Sequence, residues 1–449
     1  MPYHLDPADV EAVLAQVERD QIKFVNLQFT DIAGHVKTVT EPVVQLSDSL
    51  NFGTWFDGSS IQGFARIHES DMFLVPDPAT YALVPWEHEN GQVARFICDT
   101  YTPDGEPMRM SPRWALKRAL EHAREMGFEF FTGPELEFFL FKMENGRIHP
   151  SPHDEGGYFD YSTDAATDVR NAMINALESF DIVVETSHHE VALGQHEIDF
   201  QYGAALQTAD NATTFKYALK AVAAQHNLYA TFMPKPLSGH NGSGMHTHQS
   251  LFTPDGENTF YDANDEVGLS KLARQFMAGQ LAHVQGFCSV IAPLVNSYKR
   301  LVPGFEAPVY IGWGRTNRSA LIRIPRINPQ RPKATRVELR CPDPSCDPYL
   351  AFAVMLEAGL DGIRRDLDLP PEAEESFYDM SSVDDSDSIL GVLPHSLGVA
   401  IEATEKSDLV RETFGDELFD AFLEGRRQEW DEYLTSVSQW ELDRYLSVY

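Results

Sequence analysis

The stretch Gly133-Pro-Glu-Leu-Glu-Phe-Phe-Leu-Phe141 constrains this chain more than any other. It is short, rich in Phe and Leu and opened by Gly-Pro, which predicts a buried strand. Two carboxylates, Glu135 and Glu137, interrupt it, and a spacing of two puts them on one face. Ionised carboxylates among so much apolar surface are costly unless a cation or hydrogen bonds compensate them. The plain alternative is an edge strand with a wet acidic face, and the rest of the chain decides between the two.

With 449 residues the chain can hold one large core and a smaller domain. No apolar run approaches membrane-spanning length, and the N-terminus lacks a basic and apolar signal pattern, so a cytoplasmic protein is expected. Cys98, Cys288, Cys341 and Cys346 have neither zinc-type nor framework spacing and read as reduced structural thiols. The charge excludes more: 35 basic against 68 acidic residues leave −33, which argues against nucleic acid and anionic membranes as partners. Only 11 of the basic residues are lysine. An acidic, lysine-poor surface fits high intracellular salt, where self-repulsion is screened; an ordinary acidic enzyme is the alternative.

From the N-terminus, Asp6-Pro7 opens a helix with the stripe Val10, Val13, Leu14 and Val17. Val25, Leu27 and Phe29 alternate as a strand, turned at Ala33-Gly34 and returned by His35 to Thr40. Asn90-Gly91 signals a second hairpin between Tyr81–Pro85 and Val93–Cys98. This block reads as a small, mostly β domain, and the turn-rich Tyr101–Pro107 is a plausible boundary, which divides the chain into 18–103 and 110–449. Beyond it, Ser111-Pro112 caps a helix ending at Gly127, and later helices are expected near 165–179, 208–226, 269–285, 347–365 and 415–435. Strands fall irregularly between them, which predicts an α+β fold with a curved, mainly antiparallel sheet. Leu367 to Ser388 is acidic and reads as a surface loop.

Four constellations carry chemistry. In the stretch His188–Asp199, Leu193-Gly194 is a two-residue turn candidate, pairing Ala192 with Gln195 and setting Glu190 opposite Glu197. In Arg336-Val-Glu-Leu-Arg340, alternation places Arg336, Glu338 and Arg340 on one face. In Gly239–His248, three glycines allow close backbone approach to a ligand, and His246 and His248 share one side. Five glutamates and an imidazole suit hard divalent cations, Mg²⁺ or Mn²⁺, rather than structural zinc, and exceed what one ion needs. The fourth is a set of cations: Arg300, Arg318, Arg323, Arg336, Arg340 and Lys333 point to phosphates and a carboxylate substrate. The residues thus imply a two-metal enzyme acting on nucleotide phosphate and a small anion.

Phe56-Asp-Gly-Ser-Ser60, Gly133-Pro-Glu-Leu-Glu137, His189-Glu-Val-Ala192, Asn241–His246, Asn296–Gly304 and Asn317-Arg-Ser together resemble type I glutamine synthetase, nearly end to end and in order. The resemblance implies an N-terminal β-grasp domain, a C-terminal catalytic domain, and two stacked hexameric rings with active sites between subunits. It implies that Glu137, Glu190 and Glu197 hold one metal ion, and that Glu135, His246 and Glu338 hold a second beside the ATP phosphates. Asn241, Gly242, Arg300 and Arg340 match glutamate contacts, and Arg318 the stabiliser of the transferring phosphoryl. Glu185, His248, Ser250, Arg323, Lys333 and Arg336 match the ATP side. Glu306 matches the flap that closes the site, while Asp57 and Ser60 would reach in from the adjacent subunit toward ammonium. The implied reaction is ATP-driven joining of ammonium to L-glutamate through γ-glutamyl phosphate.

The long modified-tyrosine segment of the adenylylated branch is not evident: Leu367 stands where Tyr would before Asp368-Leu-Pro-Pro371, though another alignment offers Tyr378. This favours the shorter, non-adenylylated branch, in which Arg66 matches the arginine that senses glutamine. Two rivals stand beside this: a ligase joining glutamate to a polyamine or other amine, and a non-catalytic scaffold or nitrogen sensor. The intact Phe56–Ser60 motif argues against the first, and the full set of metal and flap residues against the second.

Overall fold

A computed structural model of the chain describes residues 5–58, 71–86, 89–315, 319–373 and 391–449. The expected site residues Ser60, Arg66 and Arg318, and Tyr378, lie outside the described residues. The first helix runs Pro7–Arg19: Asp6 caps it through Ala8 N, a proline fills its first turn, and Val10, Val13 and Val17 are buried.

The N-terminal sheet contains β1 (Phe24–Thr30), β2 (Val36–Pro42), β3 (Thr54–Asp57), β4 (Asp71–Pro76), β5 (Ala82–Leu83) and β6 (Val93–Tyr101). Their order is β2-β1-β6-β4-β3, with β5 paired to β6. The expected β1–β2 hairpin forms, and β1 lies parallel to β6. The two strands expected to flank Asn90-Gly91 do pair, as β5 with β6, but the register sets Ala82 opposite Arg95, so their connection is longer than a two-residue turn.

The second sheet contains β7 (Glu129–Glu144), β8 (Arg147–Pro152), β9 (Val184–His189), β10 (Gln195–Phe200), β11 (Gly203–Ala204), β12 (Leu228–Thr231), β13 (Met245–Phe252), β14 (Trp313–Gly314), β15 (Ile322–Arg323) and β16 (Val337–Leu339). Its order is β14-β15-β16-β13-β7-β10-β9, and β8, β11 and β12 also pair with β7. Every pairing is antiparallel except β14–β15. The opening stretch of the sequence is therefore the middle of β7, and Leu136, Phe138, Phe139 and Leu140 on it are wholly buried. It is a central strand and not an edge, so its acidic face needs compensation.

The expected helices appear as Pro112–Glu125, Thr167–Glu178, Ala205–Gln225, Lys271–Ile291, Pro348–Arg364 and Asp416–Thr435. Leu27 and Phe96 of the first sheet and Phe215 and Phe352 on the helices belong to one continuous core. The four cysteines are buried and free. No helix among the described residues is long and apolar enough to cross a membrane.

One expectation is corrected. The β9–β10 register pairs His189 with His196 and His188 with Glu197, so Glu197 does not face Glu190. Glu190 N instead donates to Gln195 O at 2.8 Å, and Gln195 N closes a tighter turn on Ala192 O at 3.0 Å. The connection is longer than two residues. Glu190 and Glu197 meet diagonally, which relieves the repulsion that directly opposed like charges suffer.

Candidate active site

Adjacent strands carry the acidic residues into one patch. On β10, Glu197 lies opposite Glu137 of β7 and Asp199 opposite Glu135. On the other flank of β7, β13 sets His246 opposite Glu135, and β16 sets Glu338 opposite His248. Two groups result, each with donor atoms within 4.8 Å of one another: Glu135, His246 and Glu338, and His188, Glu190 and Glu197. Glu137 stands beside both. It accepts from Gln195 Nε2 at 2.7 Å and Gly244 N at 3.0 Å, with His246 Nδ1 4.0 Å away.

The two groups differ in electrostatics. Burial opposes ionisation of Glu135, yet contacts with His246 and His248, the latter at 2.7 Å, hold its carboxyl well below the usual range. Burial likewise opposes ionisation of Glu338, but Arg340, His248, His246 and Arg323 keep it low. Arg340 Nη1 donates to one Glu338 oxygen at 2.6 Å and Arg323 Nε to the other. This group is ionised and balanced. In the second group, burial and then Glu190 push Glu137 up to about 8. Burial, Glu137 and Asp199 raise Glu197 well above its ordinary value, and burial raises Glu190. Here His188 lies between carboxylates, 3.5 Å from Glu190 and 3.6 Å from Glu197, while Arg300 and Arg340 only partly offset the rise at Glu137.

A divalent cation supplies what the second group lacks, positive charge among oxygen donors. In the first, burial lowers His246 to about 4, and its buried Nε2 has no hydrogen-bond partner. A neutral imidazole with two carboxylates is a donor set for such ions. The residues present therefore fit two divalent cations.

Five of the six expected ATP residues, Glu185, His248, Ser250, Lys333 and Arg336, line one cavity of about 300 Å³ next to Glu135. The sixth, Arg323, binds Glu338. Among the residues expected at glutamate, Asn241 Nδ2 donates to Glu306 Oε2 at 3.3 Å, which joins the Gly-rich loop to the segment carrying Glu306. A Cβ at Gly242 would lie 2.2 Å from Pro234 O, so the loop demands glycine there. Arg300 is buried and donates to the carbonyls of Arg340, Cys341 and Pro342. Asp57 belongs to the other sheet, exposed on β3 opposite Asp71.

Two site residues escaped the sequence reading. Asp199 sits two residues beyond Glu197 on the same face and lines the 300 Å³ cavity, so strand alternation counted on from Glu197 could have found it. His188 depended on the β9–β10 register. The rings of Tyr158 and Phe159 stand edge-on to it, 5.6 and 4.9 Å away.

Residues 109–445 match the family described as glutamine synthetase, catalytic domain, and residues 21–103 match glutamine synthetase, beta-Grasp domain. A curated glutamine synthetase from Clostridium saccharobutylicum is 49% identical over 441 residues, covering 98% of this chain and 99% of that protein. Another from Thermus thermophilus is 49% identical over 443 residues, 97% of this chain and 98% of that one. The Halobacterium salinarum protein is 49% identical over 443 residues, 98% and 96%. Among solved structures, one described as a GmaS/ADP complex is similar with a TM-score of 0.87 and 32% identity, covering 97% of this chain and 99% of that one.

Proposed function

This chain belongs to the glutamine synthetase family and makes glutamine from glutamate and ammonia, and on that premise we propose how its own residues carry out the reaction and how the molecule is assembled. The observation that carries the reading is the pair of acidic groups on the face of β7, one charge-balanced and one not, beside a cavity of about 300 Å³ whose lining includes Arg331, Lys333 and Arg336 as well as Glu135, Glu185 and Asp199. ATP occupies that cavity, with Lys333 and Arg336 on its phosphates. Glu135, His246 and Glu338 hold one divalent cation, and Glu137, Glu190 and Glu197 the other; Mg²⁺ or Mn²⁺ suits both sets. Bound there, such ions neutralise phosphate charge as it develops.

Glutamate lies between Asn241, Gly242, Arg300 and Arg340, and its γ-carboxylate attacks the terminal phosphoryl of ATP, releasing ADP. Arg318 stabilises the charge in transfer. The segment carrying Glu306 covers γ-glutamyl phosphate and keeps water from hydrolysing it. Asp57 of the adjacent subunit, with Ser60, binds ammonium and takes its proton; ammonia then displaces phosphate. Arg66 senses glutamine.

The proposed assembly is a cytoplasmic dodecamer of two hexameric rings, of the type I, non-adenylylated branch, with domains at 18–103 and 110–449. The family matches over 21–103 and 109–445 support those limits. Exposed Trp55 and Phe52 beside Asp57, and exposed Val437, Trp440, Leu446 and Val448 at the C-terminal end, support buried contacts between copies. The −33 charge with few lysines supports a salt-adapted molecule.

The test is phosphate release from ATP. It is expected only with glutamate and ammonium together, with putrescine in place of ammonium giving less than about a hundredth of the rate. Comparable rates with putrescine would replace this reading with an amine ligase.

A further inference from the structure

The loop joining β9 to β10 carries Glu190 on one face and is gripped from the other. His189 and His196 lie on the face opposite Glu197, are buried, and have ring centroids 4.7 Å apart. His189 Nδ1 lies 2.6 Å from the Glu190 carbonyl oxygen, and its Nε2 lies 2.9 Å from Asp154 Oδ1. Both partners are acceptors, so both ring nitrogens donate. Asp154 Oδ1 also accepts from Gly194 N at 3.2 Å, and Oδ2 accepts from Ala165 N at 3.0 Å. One buried carboxylate therefore holds both arms of the loop, at His189 where β9 ends and at Gly194 just before β10. Arg170, paired with Asp164 at 3.0 Å, donates to His196 Nδ1, also at 3.0 Å.

Asp154, His189 and His196 bring donor atoms close enough for a metal ion. Their hydrogen bonds exclude one. His196 Nδ1 accepts from a guanidinium, which puts the ring proton on Nε2, and His189 donates through both nitrogens, so neither imidazole has a free lone pair.

We propose that Asp154 and His189 are positioning residues, a clamp that fixes the loop so that Glu190 converges with Glu197 and Glu137 on a divalent cation. This rests on the ligand assignment made under Proposed function. Without the clamp, repulsion among the three carboxylates is relieved by swinging Glu190 outward, and the cation meets a site that is no longer preorganised. Removing groups that orient ligands from behind typically lowers metal affinity about 10–100-fold.

The test titrates Mn²⁺ alone into the purified oligomer, without nucleotide or glutamate, and follows free Mn²⁺ by paramagnetic resonance. Asp154→Ala should weaken one class of site about 10–100-fold while leaving the class formed by Glu135, His246 and Glu338 within about twofold. Asp154→Asn keeps the oxygen that faces His189 and Gly194 but turns an amide donor toward Ala165 N, so it should recover part of the loss. A purely structural role would lower the melting point or weaken both classes, and it would not be rescued at one alone. Should Asp154→Ala not fold, His189→Gln, which retains a single donor, reads the same clamp with the same expected loss. Wild-type affinity at both classes in the folded variant overturns the proposal. Glu190→Gln separates the premise from the inference: if it too binds Mn²⁺ as the wild type does, the ligand assignment is what fails.

Discussion

Asp347 caps the helix Pro348–Arg364 with one carboxylate oxygen, accepting from Leu350 N at 2.9 Å, and leaves the other, Oδ2, buried and without a hydrogen-bond partner. Burial pushes this carboxyl up to about 7, with Asp31 adding to the effect and Leu350 N and Lys216 opposing it. A raised folded-state value means that the folded protein favours the protonated form. The stability this contributes is complete below about 3.8, where the unfolded group titrates, and is lost as pH rises through about 7. Asp347→Asn keeps the capping oxygen and removes the charge. Chemical denaturation should find it equal to the wild type only below about pH 3.8 and increasingly the more stable of the two as pH rises, by about 4 kcal/mol near pH 9. A wild type that is the more stable of the two at pH 9 would contradict this account.

Among elements, the helices Lys271–Ile291 and Pro348–Arg364 approach so closely that their backbones touch. A Cβ at Gly279 would lie 2.1 Å from Ala358 O, and one at Gly362 would lie 2.1 Å from Gln275 O. Neither obstacle is a flexible side chain, so Gly279→Ala must push the helices apart. A loss of about 3 kcal/mol or more is expected, read as a lower denaturation midpoint; an unchanged midpoint would mean that the crossing is looser than described. The sequence showed the helix ends here better than the contacts. Asp6-Pro7, Ser111-Pro112 and Asp347-Pro348 announce their helices because cap chemistry is local. The end expected at 285 was wrong because Gly286, a breaker in isolation, sits inside the helix, where a Cβ would lie 2.8 Å from Ser407 Oγ. The same division holds in the candidate site. Glu135, Glu137 and Glu338 follow from strand alternation alone, whereas Glu197 was reached through a hairpin pairing with Glu190 that the structure does not form. The β9–β10 register does not, since the loop between these strands is held by contacts remote in sequence, such as that of His189 with Asp154, 35 residues before it; with the register went His188 and the relation of Glu190 to Glu197.

At the scale of the whole molecule, Asp57 and Glu338 lie on different sheets, and the shared-site proposal assigns them to one active site made by two subunits. The proposed salt adaptation provides the experiment. Oligomers of Asp57→Ala and of Glu338→Ala should each be nearly inactive, dissociate in dilute buffer and reassemble in molar salt. Equal mixtures taken through that cycle should regain about a quarter of wild-type sites, since each of two independent conditions is met half the time. Mixtures that stay inactive while wild-type subunits recover would leave Asp57 serving its own subunit. Sedimentation showing intact oligomers in dilute buffer would remove the salt argument. Whatever the assembly, β7 contributes one carboxylate to each proposed cation site from positions two residues apart, Glu135 and Glu137. Two residues of strand span about 6.4–6.8 Å, and pairing with β10 on one side and β13 on the other prevents stretching. The chain thus carries a length standard in its peptide geometry. The spacing of these two carboxylate-bearing positions is calibrated by a single strand, so loop movement, subunit exchange or a change of salt can alter the other groups around each proposed cation site but not how far apart Glu135 and Glu137 leave the backbone.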